Sequence, residues 1–341
     1  MNNPVDDARA MRRAIDLAWH ARCSSSPNPW VGAVLRTPDG EEYEGWTAPP
    51  GGPHAEATAL SRAGSRARGS TLYTTLEPCA HQGRTPPCTE AIIEAGVSRV
   101  VVGVLDPDPL VSGRGVERLS GAGIEVEVGM LGDQVSEQLA PYLKQRRTGL
   151  PWVVLKMAAS LDGRSAARDG SSKWLTGSLA RQDAHRLRAE ADAILVGAGT
   201  VRADDPSLTV RLPGGPWRQP LRVVLGHIPP RAKVNPAIEL SGDLFSVLSK
   251  LGSMGVVTLL VEGGAKVAHE FHIARLVDHY VVYLAPAIFA DNFARPLFDG
   301  SGAAKMDELW RGRIVAVKRL GEDVRLDVDP VRGEDATRKA V

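Results

Sequence analysis

Apolar residues return at helical spacing from Asp7 to Ala21, with Met11, Ile15, Ala18 and Trp19 on one face. After the Pro27-Asn28-Pro29 punctuation a strand is predicted at Val31–Leu35. The pattern then alternates: helix His54–Ala63, strand Ser70–Leu76, helix Thr89–Ala95, strand Arg99–Leu105, helix Gly115–Gly121, strand Ile124–Val128 and a closing helix Gln134–Lys144. Such alternation argues for an α/β sheet covered by helices. The basic, glycine-containing stretch Gln145-Arg146-Arg147-Thr148-Gly149 interrupts the periodicity, and a domain boundary is expected there.

A second alternation follows. It predicts strand Trp152–Ala158, helix Leu179–Ala189, strands Ala193–Val196 and Leu221–Leu225, helix Leu244–Leu251, strand Val256–Val261, helix Ala265–Ala274 and strand His279–Ala285, closed by strands Arg313–Arg319 and Val324–Val328. The expected layout is therefore residues 1–147 and 150–330 as two domains, with 331–341 as a polar flexible tail.

Composition narrows the function. The 341 residues are 43% hydrophobic, enough for two cores, and 41 Lys+Arg against 40 Asp+Glu leave a net charge of +1. No global field is available to hold nucleic acid or an anionic membrane, so a small-molecule partner is expected. The N-terminus lacks an apolar signal region and no apolar run is long enough to span a bilayer, which predicts a cytoplasmic enzyme. Three cysteines exclude a disulfide framework, and Cys23 is expected to be a small buried hydrophobe.

The other two cysteines carry chemistry. His54-Ala55-Glu56, then Pro78-Cys79 and Cys88, provide one imidazole and two thiolates for zinc. Three protein ligands leave the fourth position open, which favours a catalytic over a structural ion. Glu56, two residues from His54, is placed to handle the protons of a zinc-activated water, the arrangement of zinc deaminases. The usual second half of that signature is P-C-x-x-C, whereas here eight residues separate Cys79 from Cys88.

In the second half, Gly197-Ala198-Gly199-Thr200-Val201-Arg202 fails the dinucleotide fingerprint at Arg202. Val261-Glu262-Gly263-Gly264-Ala265 is the better phosphate candidate, because a strand ends in two glycines where a helix begins.

Around the zinc ligands the motifs become family-specific. Pro27-Asn28-Pro29-Trp30-Val31-Gly32, Leu76-Glu77-Pro78-Cys79, Gly83-Arg84-Thr85-Pro86-Pro87-Cys88 and Asp106-Pro107-Asp108-Pro109 through Gly115 resemble the deaminase half of the bifunctional riboflavin-biosynthesis deaminase/reductases. In that family the long Cys–Cys spacing is the norm. The segments Lys156–Gly163, Trp174-Leu175-Thr176, Gly199–Pro206, Leu208–Arg211 and Glu262-Gly263-Gly264 resemble its reductase half, so that the likeness spans roughly residues 8 to 328.

The resemblance implies a cytidine-deaminase-like domain followed by a dihydrofolate-reductase-like domain. It implies zinc-dependent deamination of a diaminopyrimidinone that carries a ribosylamino 5′-phosphate, then NADPH-dependent reduction of the ribosyl chain to ribityl. By position, it implies substrate contacts for Asn28, Arg84 and Asp108 in the first half and for Ser172, Arg188, Leu208, Arg211 and Glu262 in the second. Ala158, Trp174, Thr200, Asp204 and Gly264 are the implied cofactor contacts. Lys156, Asp204 and Glu262 are the ionisable groups expected near the reduced carbon, and a homo-oligomer through the C-terminal domain is expected.

Two positions depart from the pattern. Asp108 stands where the family typically has Asn, with Arg84 and Arg114 as candidate cations for it, and Gly226 stands where an acidic residue commonly ends the strand. The chain between Val224 and Val256 is also short, which leaves open whether Arg231 or Lys233 partners a 2′-phosphate.

Overall fold

A computed structural model describes residues 4–83 and 85–331, so the expected tail at 331–341 lies, beyond its first residue, outside the described residues. The chain divides into two compact units, 1–150 and 151–341.

In the first unit, helix α1 (Pro4–Ala18) precedes strands β1 (Gly32–Arg36) and β2 (Glu42–Trp46). Then come α2 (Ala55–Ala63), β3 (Thr71–Leu76), α3 (Cys88–Glu94), β4 (Arg99–Val104), α4 (Arg114–Gly121), β5 (Glu125–Val128), α5 (Gly132–Gln138) and α6 (Ala140–Thr148). The sheet order is β2-β1-β3-β4-β5. β3, β4 and β5 are parallel, and β1 runs antiparallel to both of its neighbours. Strand β2 escaped the sequence reading because only one of its five residues is buried; its pairing with β1, not its apolarity, makes it a strand.

Close helix–sheet packing rests on two glycines. A Cβ on Gly32 would lie 1.9 Å from the Ala14 carbonyl oxygen of α1, and one on Gly45 2.1 Å from that of Ala55 in α2. The buried face of α1 is Ala10, Met11, Ala14, Leu17 and Ala18. Trp19, expected on that face, is 50% exposed, because the chain tightens into a 3-10 turn at Trp19–Ala21 and rotates the ring outward. Cys23 is half-buried and not a core residue.

The expected helix Gln134–Lys144 is two helices. Pro141 has no N–H for the preceding turn, so α5 ends at Gln138 and α6 starts afresh at Ala140. α6 then continues through the basic stretch to Thr148 and stops at Gly149, which takes φ 71°. The stretch 145–149, expected to interrupt the periodicity, is thus helical up to its glycine, and Arg146 is a helix residue.

The second unit contains β6 (Trp152–Ala159), β7 (Arg164–Ala166), α7 (Ser178–Glu190), β8 (Ala193–Gly197), α8 (Ala198–Asp204), β9 (Leu221–Leu225) and β10 (Ile238–Leu240). It continues with α9 (Leu244–Ser253), β11 (Thr258–Val261), α10 (Ala265–Ile273), β12 (His279–Leu284), β13 (Arg295–Pro296), β14 (Gly312–Leu320) and β15 (Asp323–Pro330). Eight strands form one sheet in the order β10-β9-β8-β11-β6-β12-β15-β14. It is parallel from β10 to β12, and the last two strands are antiparallel. Central β8 is buried at every residue, whereas β6 alternates buried and half-buried positions along its length, which puts Lys156 and Ala158 on the face opposite Leu155 and Met157. Gly226 follows β9 with φ 99°, a conformation that suits glycine and explains why an acidic residue is absent there.

Candidate active sites

In the first unit the zinc ligands converge from three separate segments. His54 is the N-cap of α2, with an extended backbone that turns its ring toward the end of β3. Cys79 lies just beyond β3, and Cys88 is the first residue of α3, its N–H donating to Cys79 Sγ at 3.4 Å. His54 Nδ1 lies 3.6 Å from Cys79 Sγ and 3.3 Å from Cys88 Sγ, and all three donor atoms fall within 4.8 Å of one another. Tetrahedral zinc with ordinary Zn–S and Zn–N bonds sets its N and S donors about 3.6 Å apart, so the trio fits that ion. Thr85 Oγ1, 3.5 Å from His54 Nε2, holds the far side of the ring.

Charge at this centre is strongly shaped by its surroundings. The Cys88 thiol and backbone N–H point at Cys79, and with His54 they hold Cys79 down to about 4, while Cys88 is pushed up; one proton is in effect shared by the pair. Burial pushes Glu56 up to about 7, against the opposing pull of His54.

A cavity of about 340 Å³ opens onto this centre. Its walls include His54, Glu56 and Cys79, and also Asn28 and Asp108, two of the three implied substrate contacts. Arg84 lies outside the described residues.

Sequence reasoning missed several side chains here. Buried Glu77 takes four backbone N–H groups, from Asp106, Gly113, Gly115 and Val116 at 2.9–3.3 Å, and so ties the Asp106–Gly113 loop and the start of α4 to the end of β3. Asp106 is pushed up to about 6 by burial, and Tyr142 of α6 donates to both of its oxygens, at 3.2 and 3.0 Å. His81, Tyr142 and Arg146 line the same cavity. Among the described residues the cation facing Asp108 is Arg146, with Nε 3.3 Å from Oδ2, and not Arg114 as expected; the other expected candidate, Arg84, is outside them. Its signal was present in the sequence as a basic stretch that read as a domain boundary.

The second unit holds a larger cleft of about 1340 Å³. Lys156 and Ala158 from β6, Ser172 and Trp174 from the loop after β7, and Arg188 from α7 line it. Thr200 and Asp204 from α8, Leu208 and Arg211 from the next loop, and Glu262 and Gly264 from the end of β11 complete the implied set. The fold therefore gathers all of these residues around one space.

At its floor Arg188 grips Glu262 with two hydrogen bonds, Nε to Oε1 at 2.6 Å and Nη2 to Oε2 at 2.9 Å. Burial opposes the carboxylate, but Arg188 and then Lys156 outweigh it and hold Glu262 at about 2. Lys156 is itself lowered by burial, which Glu262 partly offsets, and its ammonium stands 5.7 Å over the Tyr283 ring.

The cofactor candidates surround a cradle with little spare room. A Cβ on Gly263 would lie 2.7 Å from the Val267 side chain, one on Gly264 would lie 3.1 Å from Thr200 Oγ1, and the Gly264 N–H donates to that oxygen at 3.1 Å. That packing fixes the start of α10, where Gly263, Gly264, Ala265 and Lys266 line the cleft and the free N–H groups of a helix start fit the pyrophosphate of a dinucleotide. Of Arg231 and Lys233, Lys233 faces the cleft, with Nζ 3.2 Å from Asp205. Leu208, buried at φ 51°, lines the cleft. His185, also unforeseen, accepts the Arg211 N–H at 3.3 Å.

Residues 151–326 match the family described as RibD C-terminal domain, and residues 4–104 match the cytidine and deoxycytidylate deaminase zinc-binding region. The riboflavin biosynthesis protein RibD of Haemophilus influenzae is 39% identical over 95% of this chain and 97% of its own length. That of Mycobacterium tuberculosis is 42% identical over 94% and 96%. Among solved structures, Acinetobacter baumannii RibD is similar with a TM-score of 0.91 at 39% identity, over 97% of this chain and 100% of the other. A Thermotoga maritima diaminohydroxyphosphoribosylaminopyrimidine deaminase/5-amino-6-(5-phosphoribosylamino)uracil reductase is similar with a TM-score of 0.88 at 34% identity, over 97% and 100%.

Proposed function

The chain belongs to the RibD family, the bifunctional deaminase/reductases of riboflavin biosynthesis, and from that premise we propose how its residues divide the work. Residues 1–147 carry the zinc-dependent deamination and residues 150–330 the NADPH-dependent reduction. The substrate is the diaminopyrimidinone ribosyl phosphate named for the Thermotoga maritima protein. The observation that carries the reading is the His54–Cys79–Cys88 trio, with Glu56 on the wall of the same cavity.

His54, Cys79 and Cys88 would hold a zinc ion, which would supply a water acidic enough to attack a ring carbon near neutral pH. Glu56 takes the water proton and delivers it to the departing amine, so that a C–O bond forms as the C–N bond breaks and ammonia leaves. Its carboxyl, raised to about 7 by burial, is matched to both halves of that transfer. Asn28 and Asp108 border the substrate from the cavity wall, and Arg84 joins them by position in the family motif.

NADPH bound in the cleft of the second unit would supply the hydride. Ala158, Trp174, Thr200, Asp204 and the Gly264 turn hold the cofactor, while Ser172, Arg188, Leu208, Arg211 and Glu262 hold the ribosyl phosphate. Lys156, with its pKa lowered by burial, gives the proton that the substrate nitrogen needs when the ring-opened carbon is reduced; Asp204 and Glu262 set the charge beside it.

We also place the enzyme in the cytoplasm as a homo-oligomer formed through the second unit. No helix among the described residues is long and apolar enough to cross a membrane. Edge strand β14 presents Ile314 and Val317, 58% and 63% exposed, which supports an interface on that side of the sheet.

Ammonia release and NADPH oxidation, followed together on the intact chain, test the reading. Chelation should stop ammonia release and leave NADPH binding intact. Cleavage between Arg147 and Pro151 should divide the two activities between the fragments. NADPH oxidation by fragment 1–147, or deamination that survives full removal of zinc, would overturn the assignment.

A further inference from the structure

The deamination cavity contains a closed circuit of four residues that the zinc chemistry does not use. Tyr142 Oη donates to both Asp106 oxygens, and Asp106 Oδ1 accepts the backbone N–H of Asp108 at 2.9 Å. Asp108 Oδ2 faces Arg146 Nε at 3.3 Å, and the Arg146 guanidinium stacks back over the Tyr142 ring with its central carbon 5.0 Å from the centroid. All four residues line the cavity that also holds His54, Glu56 and Cys79.

The charge in that cavity is lopsided. Glu56, Glu77, Asp106 and Asp108 contribute carboxyl groups, and among its described lining residues Arg146 is the one Lys or Arg. Glu77 is matched by its four backbone N–H groups, which leaves Asp106 and Asp108 on the side where Arg146 stands. A substrate that brings a phosphate into such a space meets like charge unless a cation receives it. The guanidinium has five donors in a planar fork and can serve a carboxylate and a phosphate together. Stacking on Tyr142 and the hold of Asp108 fix its direction in advance, so little side-chain freedom is lost on binding.

We propose that Arg146 is a specificity-determining residue of the deamination, contacting the 5′-phosphate of the substrate, and that Asp108 is the positioning residue that aims it. The inference rests on the substrate class proposed above. It also accounts for the acidic residue at 108: Asp108 is one half of an ion pair whose other half comes from a helix 38 positions along the chain.

The test is the ratio of deamination kcat/KM for the phosphorylated substrate to that for its dephosphorylated counterpart, measured on the intact zinc-loaded enzyme. Arg146→Gln should lower this selectivity at least about tenfold, the loss of one hydrogen bond between charged partners. The double variant Asp108→Asn/Arg146→Gln, in which the pair is neutral, should stay equally unselective. Asp108→Asn alone keeps the cation but loses the group that aims it, and should lower selectivity by a clearly smaller factor than Arg146→Gln.

Recovery of wild-type selectivity in the double variant would show that Arg146 merely neutralises Asp108, and would overturn the proposal. So would a loss in Asp108→Asn as large as that in Arg146→Gln. Zinc content and activity on the dephosphorylated substrate report whether each variant is folded, so that a collapsed protein is not read as a loss of selectivity. Absence of ammonia release by the wild type from either substrate is a different failure, which removes the substrate assignment and this inference with it.

Discussion

Glu77→Gln tests whether the loop that walls the deamination cavity is held by one buried carboxylate. Glu77 Oε1 accepts from Gly115 and Val116 at 2.9 and 3.3 Å, and Oε2 from Asp106 and Gly113 at 3.2 and 3.0 Å. Glutamine keeps the shape but replaces one oxygen by an NH2 group. Whichever way the amide turns, two backbone N–H groups then face a donor, in a site where the residue is 4% exposed. Each unsatisfied buried donor costs about 1–3 kcal/mol, so the substitution should remove roughly 2–6 kcal/mol. That is a large part of the ~5–15 kcal/mol that stabilises an ordinary domain. Gly115→Ala strains the same joint from the other side, since its Cβ would meet the Pro78 carbonyl oxygen at 2.1 Å.

Thermal unfolding of the intact chain should show the zinc-dependent transition, identified by its response to chelator, falling by roughly 4–24 °C at ~2–4 °C per kcal/mol. The other transition should stay in place. Deamination should fall with the loop, while NADPH oxidation from a supplied reductase substrate persists. A Glu77→Gln protein whose zinc-dependent transition moved by less than about 0.5 kcal/mol equivalent would refute the idea that these four bonds hold the loop.

Three further outcomes are expected. Glu56→Gln should retain about one zinc per chain by metal analysis yet lose at least ~10²-fold in deamination, and near-normal turnover would take Glu56 out of the mechanism. Lys156→Met should depress reduction while NADPH affinity, followed by fluorescence titration, stays within a few-fold; a fall in affinity alone would reassign Lys156 to the cofactor site. Glu262, held at about 2 against an ordinary 4.5, contributes stability that is fully present above pH 4.5 and is lost as the pH falls toward 2. At ~1.4 kcal/mol per pH unit this amounts to the order of 3 kcal/mol. The acid-induced drop in the urea midpoint of the second unit should therefore shrink in Arg188→Met, and an identical drop in both proteins would contradict the assignment.

What the sequence determined by itself was the chemistry that local spacing can encode. His54 and Glu56 share one helix start, Cys88 opens another, and Cys79 ends a strand, so ligand type and approximate placement follow from short-range rules of helix and strand termination. The strongly apolar strands were likewise legible, since burial on both faces leaves an unbroken run, as in β8. Polar strand β2 was not, because its existence depends on a partner and not on its own pattern.

Tertiary structure decided which distant charges meet. Arg188 and Glu262 are 74 positions apart, and nothing in either neighbourhood announces the other. Glu77 read as part of a metal motif, yet its oxygens are consumed by backbone 29 to 39 positions downstream. Arg146 read as part of a domain boundary until α6 ran on past Pro141 and carried it into the cavity opposite Asp108. The physical reason is common to all three. A buried charge must be matched by whatever donor or opposite charge the folded chain brings within about 3 Å, and that choice belongs to the path of the whole chain, not to the residues beside it.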